Sequence, residues 1–292
     1  MNRVLTVAAV PIGPAGRDPA PQWREAEAGI AAAARAGAML AVLPELFAHP
    51  YVAGEAPEAW ADLAEAEGGP TVSRMRDVAT THGIAVLFGL ALRHDEGLPC
   101  NAALLAHADG RIERAAVKVH LPPAGTDERF GEADHFAPGP PEIGSVAIGS
   151  VAIGALRVAT LVCYDRRFPE CWRAAAASGA DLVAVLVGGP APGDPEGLFA
   201  AELQASARAN AVYALAAARY GTETVSGRPV NHDGETLAFG PDGDFIAGLP
   251  QGDARPLLLS IDPERIARAR QTNATARRLR LPLQSKEASW LN

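Results

Sequence analysis

Cysteine and aromatic residues are scarce in this chain of 292 residues. Its three cysteines, Cys100, Cys163 and Cys171, are too few and odd in number for a disulfide framework, which indicates a reducing compartment. Aromatic residues make up only 5% of the sequence, so a core must consist mainly of Ala, Val and Leu. The 48% apolar content still allows a large core, which excludes a disordered or fibrous protein.

Long apolar runs and basic clusters are also missing. The longest uncharged run of the central region, residues 143–156, is shorter than the ~18 residues that a membrane-spanning helix requires. The first residues are typical of a strand rather than a signal peptide, so we expect a cytoplasmic protein. The net charge is −8 and the basic residues are scattered, which disfavours binding to a nucleic acid backbone. Neither a membrane nor a nucleic acid is expected as a partner.

Short β-branched runs alternate with alanine-rich stretches, which predicts an α/β fold in one domain, residues 1–292. Residues 263–292 are expected to form a C-terminal tail. The pattern predicts strands at 4–10, 39–43, 84–90, 102–106, 112–119, 151–164, 181–187, 212–218, 235–239, 245–247 and 256–261. It predicts helices at 22–35, 71–81, with Gly83 as a stop, 169–178 and 196–209.

A tandem pentapeptide, GSVAI, begins at Gly144 and again at Gly149. Side chains alternate along a strand with a period of two, so inserting five residues would reverse the face of every following side chain. We therefore expect a turn or bulge near Gly149, in a hairpin or a lengthened loop.

Three ionisable side chains stand out because of their apolar surroundings. Glu45 follows a predicted strand in LPELF, where desolvation would raise its pKa, although a lone Glu there could simply be solvated. Lys118 lies in the apolar segment AAVKVHL, and the chain has just one other lysine, Lys286, against 24 arginines. A compact ammonium is therefore indicated at Lys118, with a snorkelling strand lysine as the alternative.

Cys163 lies where the apolar strand in ATLVCYDRRFPE reaches a charged turn, before a helix that begins near Pro169. The positive end of that helix and a nearby ammonium would favour the thiolate form. The alternative is a small hydrophobic residue of the core, and this interpretation is kept for Cys100 and Cys171. A nucleophile, a base and a cation together are the set that acyl transfer through a thioester requires.

In this order, Glu45 in LPELF, Lys118 in VKVHLP and Cys163 in LVCYDRRFPE resemble the carbon–nitrogen hydrolase (nitrilase) superfamily over residues 4–262 or thereabouts. The resemblance implies a four-layer αββα sandwich, a Glu-Lys-Cys triad and a homodimer or higher homo-oligomer. It also implies a second Glu shortly before the F-x-P-G segment at 136–139. Glu132 fits best and Glu128 is the fallback, although either could be an exposed loop acid.

The turn after the nucleophile, Tyr164-Asp165-Arg166-Arg167, resembles the amidase and N-carbamoyl-amino-acid amidohydrolase branches rather than nitrilases. It implies Arg166 as the anchor of a substrate carboxylate, Arg167 as a partner of Glu170 and the Tyr164 N–H as an oxyanion donor. The alternative is that both arginines brace the turn by ion pairs. His120 and His135 are further candidates for the pocket, because each lies near a proposed catalytic residue in sequence, and the alternative is that both are hydrogen-bonding residues of loops.

The predicted function is cysteine-dependent hydrolysis of an amide or N-carbamoyl group in a small, carboxylate-bearing substrate, with release of ammonia. No cofactor or metal is expected, because the spacing of His and Cys matches no metal motif and no phosphate-binding glycine motif is present. Alternatives are a neutral aliphatic amidase or nitrilase, an acyltransferase of the same fold, and a catalytically silent binding protein. The duplicated GSVAI, between Glu132 and Cys163, departs from the family pattern and could alter the pocket rim.

Overall fold

The computed structural model describes residues 4–93, 97–125, 128–140, 150–153, 156–189, 195–273 and 275, with the backbone alone described at 150–153. These residues contain two six-stranded sheets and one two-stranded sheet. In that part of the chain, no helix is both long and apolar enough to cross a membrane.

The first sheet combines parallel and antiparallel strands. Its strands are β1 (Leu5–Ala9), β2 (Leu40–Val42), β3 (Ala85–Leu92), β4 (Cys100–Ala106), β5 (Ile112–Val117) and β14 (Leu257–Ile261). They lie in the order β14-β1-β2-β3-β4-β5. β1, β2 and β3 are parallel, whereas β3, β4 and β5 form antiparallel pairs. The hairpin predicted from 102–106 and 112–119 is thereby confirmed.

The second sheet has the same mixed character. Its strands are β6 (Ser150–Ile153), β7 (Leu156–Val162), β8 (Leu182–Val187), β9 (Tyr213–Ala218), β12 (Leu237–Phe239) and β13 (Phe245–Gly248). They lie in the order β13-β12-β9-β8-β7-β6, with β7, β8 and β9 parallel. The two-stranded sheet pairs β10 (Gly221–Val225) with β11 (Arg228–His232) and was not predicted, because its sequence is short and polar.

The helices follow the predicted pattern with end shifts of at most two residues. They are α1 (Ala20–Arg35), α2 (Glu58–Leu63), α3 (Pro70–His82), α4 (Glu132–His135), α5 (Pro169–Ala177), α6 (Leu198–Asn210) and α7 (Pro263–Thr272). Of these, α2, α4 and α7 were not predicted, and a 3₁₀ turn, Cys163–Arg167, joins β7 to α5. α7 begins the expected tail and buries Ile266 against the core, while residues 274 and 276–292 lie outside the described residues.

The sheets and helices stack in four layers. Leu87 of β3 and Leu186 of β8 belong to an apolar core between the two sheets. α1 and α3 cover the outer face of the first sheet, where Met75 and Val86 share a second core. α5 and α6 cover the second sheet, where the buried Trp172 is part of a third. Because strand side chains alternate, each sheet buries both faces, and the predicted αββα sandwich is confirmed.

The prediction of a single strand over 151–164 is wrong, because two strands, β6 and β7, lie there. β6 and β7 pair antiparallel with Ile153 opposite Leu156, so the chain reverses direction between them. The predicted strand also ends early, since Cys163 begins the 3₁₀ turn. The turn or bulge expected near Gly149 lies outside the described residues.

Gly89 of β3 lies directly beneath the loop that follows β2. Its N–H donates a hydrogen bond of 3.2 Å to the carbonyl of Pro44. A Cβ atom at position 89 would lie 2.5 Å from the Cα of Glu45 and 2.8 Å from the backbone nitrogen of Leu46. The absence of a side chain at Gly89 therefore sets the position of Glu45 on the sandwich.

We expect Gly89→Ala to lower the free energy of unfolding by about 1–3 kcal/mol, because the contacts that an added methyl would make are with backbone atoms that cannot rotate away. Chemical denaturation monitored by circular dichroism measures the loss. Gly16→Ala is the matched control, since nothing lies within 4 Å of that position. Its effect should stay within about 0.5 kcal/mol. Equal stability of the two variants would show that Gly89 does not fix the loop.

Candidate active site

The three residues predicted to act together lie just after three different strands. Glu45 lies in the loop after β2, Lys118 follows β5 directly and Cys163 follows β7 directly. The first two strands belong to one sheet and the third to the other. The residues thus come from both halves of the sandwich, and the structure brings them to one place.

Lys118 is fully buried between two carboxylates. Its Nζ donates hydrogen bonds of 2.8 Å to Glu45 Oε1 and 2.6 Å to Glu132 Oε2. Both glutamates are also buried. Burial alone would lower the pKa of Lys118, but the charges of Glu132 and Glu45 outweigh it and raise this pKa above its ordinary value. Lys118 is therefore held as a cation.

Glu132, rather than Glu128, joins this buried group. Glu132 begins α4, the short helix immediately before the F-x-P-G segment, and is 1% exposed. Glu128 is exposed and accepts a hydrogen bond of 3.2 Å from the N–H of Gly125. The Gly139 N–H donates to the Lys118 carbonyl at 2.7 Å, so this segment packs directly on the backbone that carries the lysine.

Asn101 was missed by the sequence analysis. It is buried at the start of β4, and its Nδ2 donates hydrogen bonds of 2.7 Å to Glu45 Oε1 and 3.2 Å to Glu132 Oε2. Its carbonyl accepts a hydrogen bond of 2.8 Å from the N–H of Lys118. The available signal was an amide inside an otherwise apolar strand, since a buried polar side chain needs a partner.

Tyr51 was missed as well. Its hydroxyl donates a hydrogen bond of 2.7 Å to Glu132 Oε1, and its side chain lines the cavity next to Cys163. Burial and the charges of Glu132 and Glu45 raise the pKa of Tyr51 well above its ordinary value, so the hydroxyl keeps its proton. The sequence carried no signal for it, because a tyrosine in a loop is common.

Glu45 has the properties of a base. Burial raises its pKa, and this effect outweighs the opposing charge of Lys118. Its Oε1 accepts hydrogen bonds from Lys118 and Asn101, whereas the buried Oε2 has no hydrogen-bond partner in the described part of the chain. The carboxylate is therefore held by one oxygen, and the other has a lone pair for an incoming proton.

Cys163 has a backbone conformation that is rare for residues with a side chain. Its φ is 43°, in the left-handed region, where it ends β7 and begins the 3₁₀ turn. A sparsely populated conformation of this kind costs about 1–3 kcal/mol and persists only where the surrounding structure enforces it. The Cys163 carbonyl accepts a hydrogen bond of 3.3 Å from Arg166 Nη1. The thiol lines the cavity and is half-buried.

The lowering of the Cys163 pKa expected from the positive end of a helix and a nearby ammonium is not found. Burial and the negative charge of Glu45 raise the pKa of Cys163 to about 12, and the charges of Lys118 and Arg166 do not offset them. The helix whose positive end was expected to help begins only at Pro169, beyond the 3₁₀ turn. At neutral pH the sulfur therefore carries a proton, which a base must remove before attack.

The cavity in front of Cys163 has a volume of about 530 Å³, enough for a small molecule. Aromatic and proline side chains form much of its wall. The charged side chains that line it, among the described residues, are Glu128, Glu132, Glu196, Asp233, Glu235, Arg166 and Arg167. Carboxylates thus outnumber guanidinium groups around this cavity.

Arg166 and Arg167 both reach the cavity, as expected for residues near the substrate. Arg166 is almost fully buried, its Nε lies 3.2 Å from Glu202 Oε2, and its guanidinium lies 4.6 Å from the ring centre of Phe199. The guanidinium of Arg167 lies 5.4 Å from the ring centre of Tyr164, which also lines the cavity. These contacts of Arg166 are compatible both with bracing the 3₁₀ turn and with binding the substrate.

The two candidate histidines lie elsewhere, since neither is among the described residues that line the cavity. The imidazole of His120 stacks on Phe168 at a centroid distance of 3.5 Å, with Nδ1 2.9 Å from Asp165 Oδ1. His135 is buried, with Nε2 2.9 Å from the carbonyl of Ala53. Direct substrate contact by His120 is therefore not supported, because Asp165 and Phe168 hold the ring against the 3₁₀ turn.

Within the described residues, one group of side chains is close enough together to hold a metal ion. It consists of His120, Asp165 and Cys171, whose ligand atoms lie within 4.8 Å of one another. The Asp165 carboxylate already accepts hydrogen bonds from the backbone N–H groups of Val119 at 3.3 Å and His120 at 2.9 Å. Hydrogen bonding accounts for this arrangement. The Asp165 carboxylate connects the backbone just after Lys118 to the 3₁₀ turn that begins at Cys163.

Comparisons with known proteins identify the family. The profile of the family described as "Carbon-nitrogen hydrolase" matches residues 6–271. A protein named "Hydrolase in pqqF 5'region" from Pseudomonas protegens is 32% identical over 238 residues, covering 80% of this chain and 75% of that protein. An N-carbamoylputrescine amidase from Solanum tuberosum is 27% identical over 277 residues, covering 91% and 88%.

The fold is also shared with solved structures. The carbon–nitrogen hydrolase from Helicobacter pylori G27 has a TM-score of 0.81 and 22% sequence identity, and the likeness covers 95% of this chain and 96% of that chain. The family profile spans both sheets and contains Glu45, Lys118 and Cys163. This chain belongs to the carbon–nitrogen hydrolase family.

Proposed function

We propose that the protein hydrolyses the C–N bond of a small linear amide or N-carbamoyl compound through a thioester on Cys163. The observation that carries the proposal is the fully buried Lys118, hydrogen-bonded to both Glu45 and Glu132 beside that cysteine. A cation kept in a dry site next to a nucleophile stabilises negative charge that develops on a substrate oxygen. Release of ammonia from a panel of amides, carbamoyl compounds and nitriles tests it.

In the first step, Glu45 removes the proton from the Cys163 thiol as the sulfur attacks the carbonyl carbon. The C–S bond forms and the electron pair of the C=O bond moves to oxygen. Lys118 and the N–H of Tyr164 stabilise this oxyanion, because the start of the 3₁₀ turn leaves its first N–H groups outside the turn's own hydrogen bonds. Glu132 holds Lys118 and the substrate's amine in place.

In the second step, the protonated Glu45 gives its proton to the leaving nitrogen, the C–N bond breaks and ammonia departs. A thioester remains on Cys163, and Glu45 is again a carboxylate. Glu45 then takes a proton from water, whose oxygen attacks the thioester carbon. Collapse of that adduct breaks the C–S bond and returns the proton to sulfur, which restores the starting enzyme.

The side chains around the cavity do not favour the substrate charge that the sequence predicts for the group remote from the scissile C–N bond. A carboxylate held by Arg166 was expected, but the ion pair with Glu202 already neutralises that guanidinium. The carboxylates of Glu128, Glu196 and Glu235 also line the cavity and would repel an anion. These observations favour an amine-bearing substrate, and the Solanum relative is named for such a compound, N-carbamoylputrescine.

Cys163→Ala should abolish turnover, by several orders of magnitude, while leaving the fold intact, because a nucleophile is replaced by a side chain of similar size. Ammonia release measures the loss. Cys100→Ala and Cys171→Ala are the matched controls, since both thiols are buried outside the cavity lining. If purified Cys163→Ala turns over as fast as the wild type, thioester catalysis is excluded. If the wild type itself binds these compounds but releases no ammonia, a catalytically silent binding protein is favoured.

The pH dependence of kcat/KM should show an acid limb with an apparent pKa above 4.5, the ordinary value for Glu. Activity requires ionised Glu45, so it is present above the raised pKa and is lost as the pH falls through it. No rise is expected near pH 9.0, the ordinary Cys value, because the Cys163 pKa is about 12. Circular dichroism at each pH separates this limb from unfolding. A limb at pH 9.0 would indicate that a preformed thiolate attacks.

Arg166→Ala should lower kcat/KM for a neutral amide and for an N-carbamoyl amino acid by similar factors, about ten- to a hundredfold each. The reason is that Arg166 braces the turn through the carbonyl of Cys163 and pairs with Glu202. In the wild type, an N-carbamoyl diamine should be the better substrate. A rise in KM confined to the N-carbamoyl amino acid would restore Arg166 as a carboxylate anchor.

A further inference from the structure

The β10–β11 hairpin carries a buried ionic group outside the reaction scheme above. Glu223 of β10 and His232 of β11 are 3% and 2% exposed, and Arg219, just after β9, is 1% exposed. Arg219 Nη2 donates a hydrogen bond of 2.6 Å to Glu223 Oε2, and His232 Nε2 lies 3.2 Å from Glu223 Oε1. Burying charged groups costs free energy unless they are paired and hydrogen-bonded, as these are.

The Arg219–Glu223 pair fixes the loop that carries Glu45. Glu223 Oε1 accepts a hydrogen bond of 2.5 Å from the Tyr51 N–H, and Arg219 Nη1 donates one of 3.0 Å to the His49 carbonyl. Both anchored residues lie in the segment between β2 and α2, where described residues form neither helix nor strand. Two backbone groups of this loop are thus held by side chains 170 and 172 residues away in sequence.

From Tyr51 the connection reaches the second carboxylate of the active site. The phenol donates its hydrogen bond of 2.7 Å to Glu132 Oε1, and Glu132 Oε2 accepts from Lys118. The chain of contacts therefore runs from Glu223 through the Tyr51 backbone and ring to Glu132. If Glu223 no longer held the N–H, the phenol could move away from Glu132.

A second connection reaches Glu45. His232 Nδ1 lies within 2.5 Å of the Gly188 carbonyl, while its other ring nitrogen faces Glu223. Gly188 packs so closely on the base that a Cβ there would lie 2.8 Å from both Glu45 Oε2 and the Glu45 carbonyl. Glu223 is thus connected to Glu132 through Tyr51, and to Glu45 through His232 and Gly188.

We propose that Glu223 is a positioning residue, which holds Tyr51 and, through His232, Gly188 so that Glu132 and Glu45 keep their places around Lys118. The expected effect of this role on kcat rests on the proposed function. Glu223 stays ionised for it, because the hydrogen bonds and charges of His232 and Arg219 outweigh burial and lower its pKa to about 2. Glu223 touches no reacting atom, so it acts through Tyr51 and His232.

The test is a double-mutant cycle between Glu223→Gln and Tyr51→Phe. Each single change should lower kcat by about tenfold with little change in KM, because the hydrogen bond to Glu132 is weakened or lost. The double variant should be no slower than Glu223→Gln alone, because both changes remove the same constraint. Additive losses in log kcat, or a loss confined to KM, would overturn the proposal.

Glu65→Gln is the matched control for a merely structural role. Glu65 is another buried carboxylate, and it accepts a hydrogen bond of 2.8 Å from the N–H of Thr71 in the first turn of α3, away from the cavity. It should lose stability in thermal unfolding without losing kcat. If Glu223→Gln behaves in the same way as Glu65→Gln, the positioning role is refuted.

Two further measurements keep the test decisive. Glu223→Asp retains the negative charge beside Arg219, so it should fold even if Glu223→Gln does not. Its shorter side chain does not reach the Tyr51 N–H, so its loss of kcat should also be non-additive with that of Tyr51→Phe. The alkylation rate of Cys163 by iodoacetamide needs no substrate and should fall in both Glu223 variants, because Glu45 is displaced. If the wild type hydrolyses no amide, the proposed function fails, and an unchanged alkylation rate separately refutes the positioning role.

Discussion

The buried ammonium of Lys118 is the constraint on which the rest of this structure depends. A cation that lies out of contact with water, without partners, destabilises a protein by several kcal/mol. Lys118 has two carboxylate partners, and they are 73 and 14 residues away in sequence. The fold must therefore bring the loop after β2, the end of β5 and the start of α4 together. Stability and the placement of the candidate base are thus set by one set of hydrogen bonds.

Burial, together with this group of charges, also sets the pKa of the Cys163 thiol. Two carboxylates and one ammonium leave a net negative charge next to the sulfur of Cys163, if both carboxylates are ionised. That charge and burial keep the thiol protonated at neutral pH, with a pKa of about 12. A site of this kind differs from a cysteine–imidazolium pair, where the thiolate exists before substrate arrives. In the proposed mechanism, proton transfer to Glu45 accompanies attack, so the exact position of the carboxylate matters more than its average charge.

Local periodicity predicted the order of strands and helices, and local context singled out Glu45, Lys118 and Cys163. The four layers were implied by the family resemblance, and the residues that support the Lys118 group were not predicted. Strands such as β8, apolar at every position, and helices with a regular stripe follow from local periodicity. Lys118 was found because a rare residue type lies in an apolar segment. Asn101, Tyr51 and Glu223 were missed, because their importance lies in hydrogen bonds to residues 31 to 172 positions away. No local pattern encodes such pairs, and the β10–β11 hairpin that carries Glu223 is itself too polar to predict.

Backbone strain occurs at two positions where the chemistry is proposed. Of the four non-glycine residues with positive φ in the described part of the chain, Ala211 and Ser226 lie elsewhere, while Leu46 follows Glu45 and Cys163 is the proposed nucleophile. Each is flanked by a fully buried residue, Phe47 in one case and Val162 in the other. Tight packing on a rigid sheet can hold a conformation that costs about 1–3 kcal/mol in isolation. The sandwich thus supplies the rigidity that places the Glu45 carboxylate and the Cys163 sulfur, and the charged side chains around the cavity are the proposed basis of substrate choice.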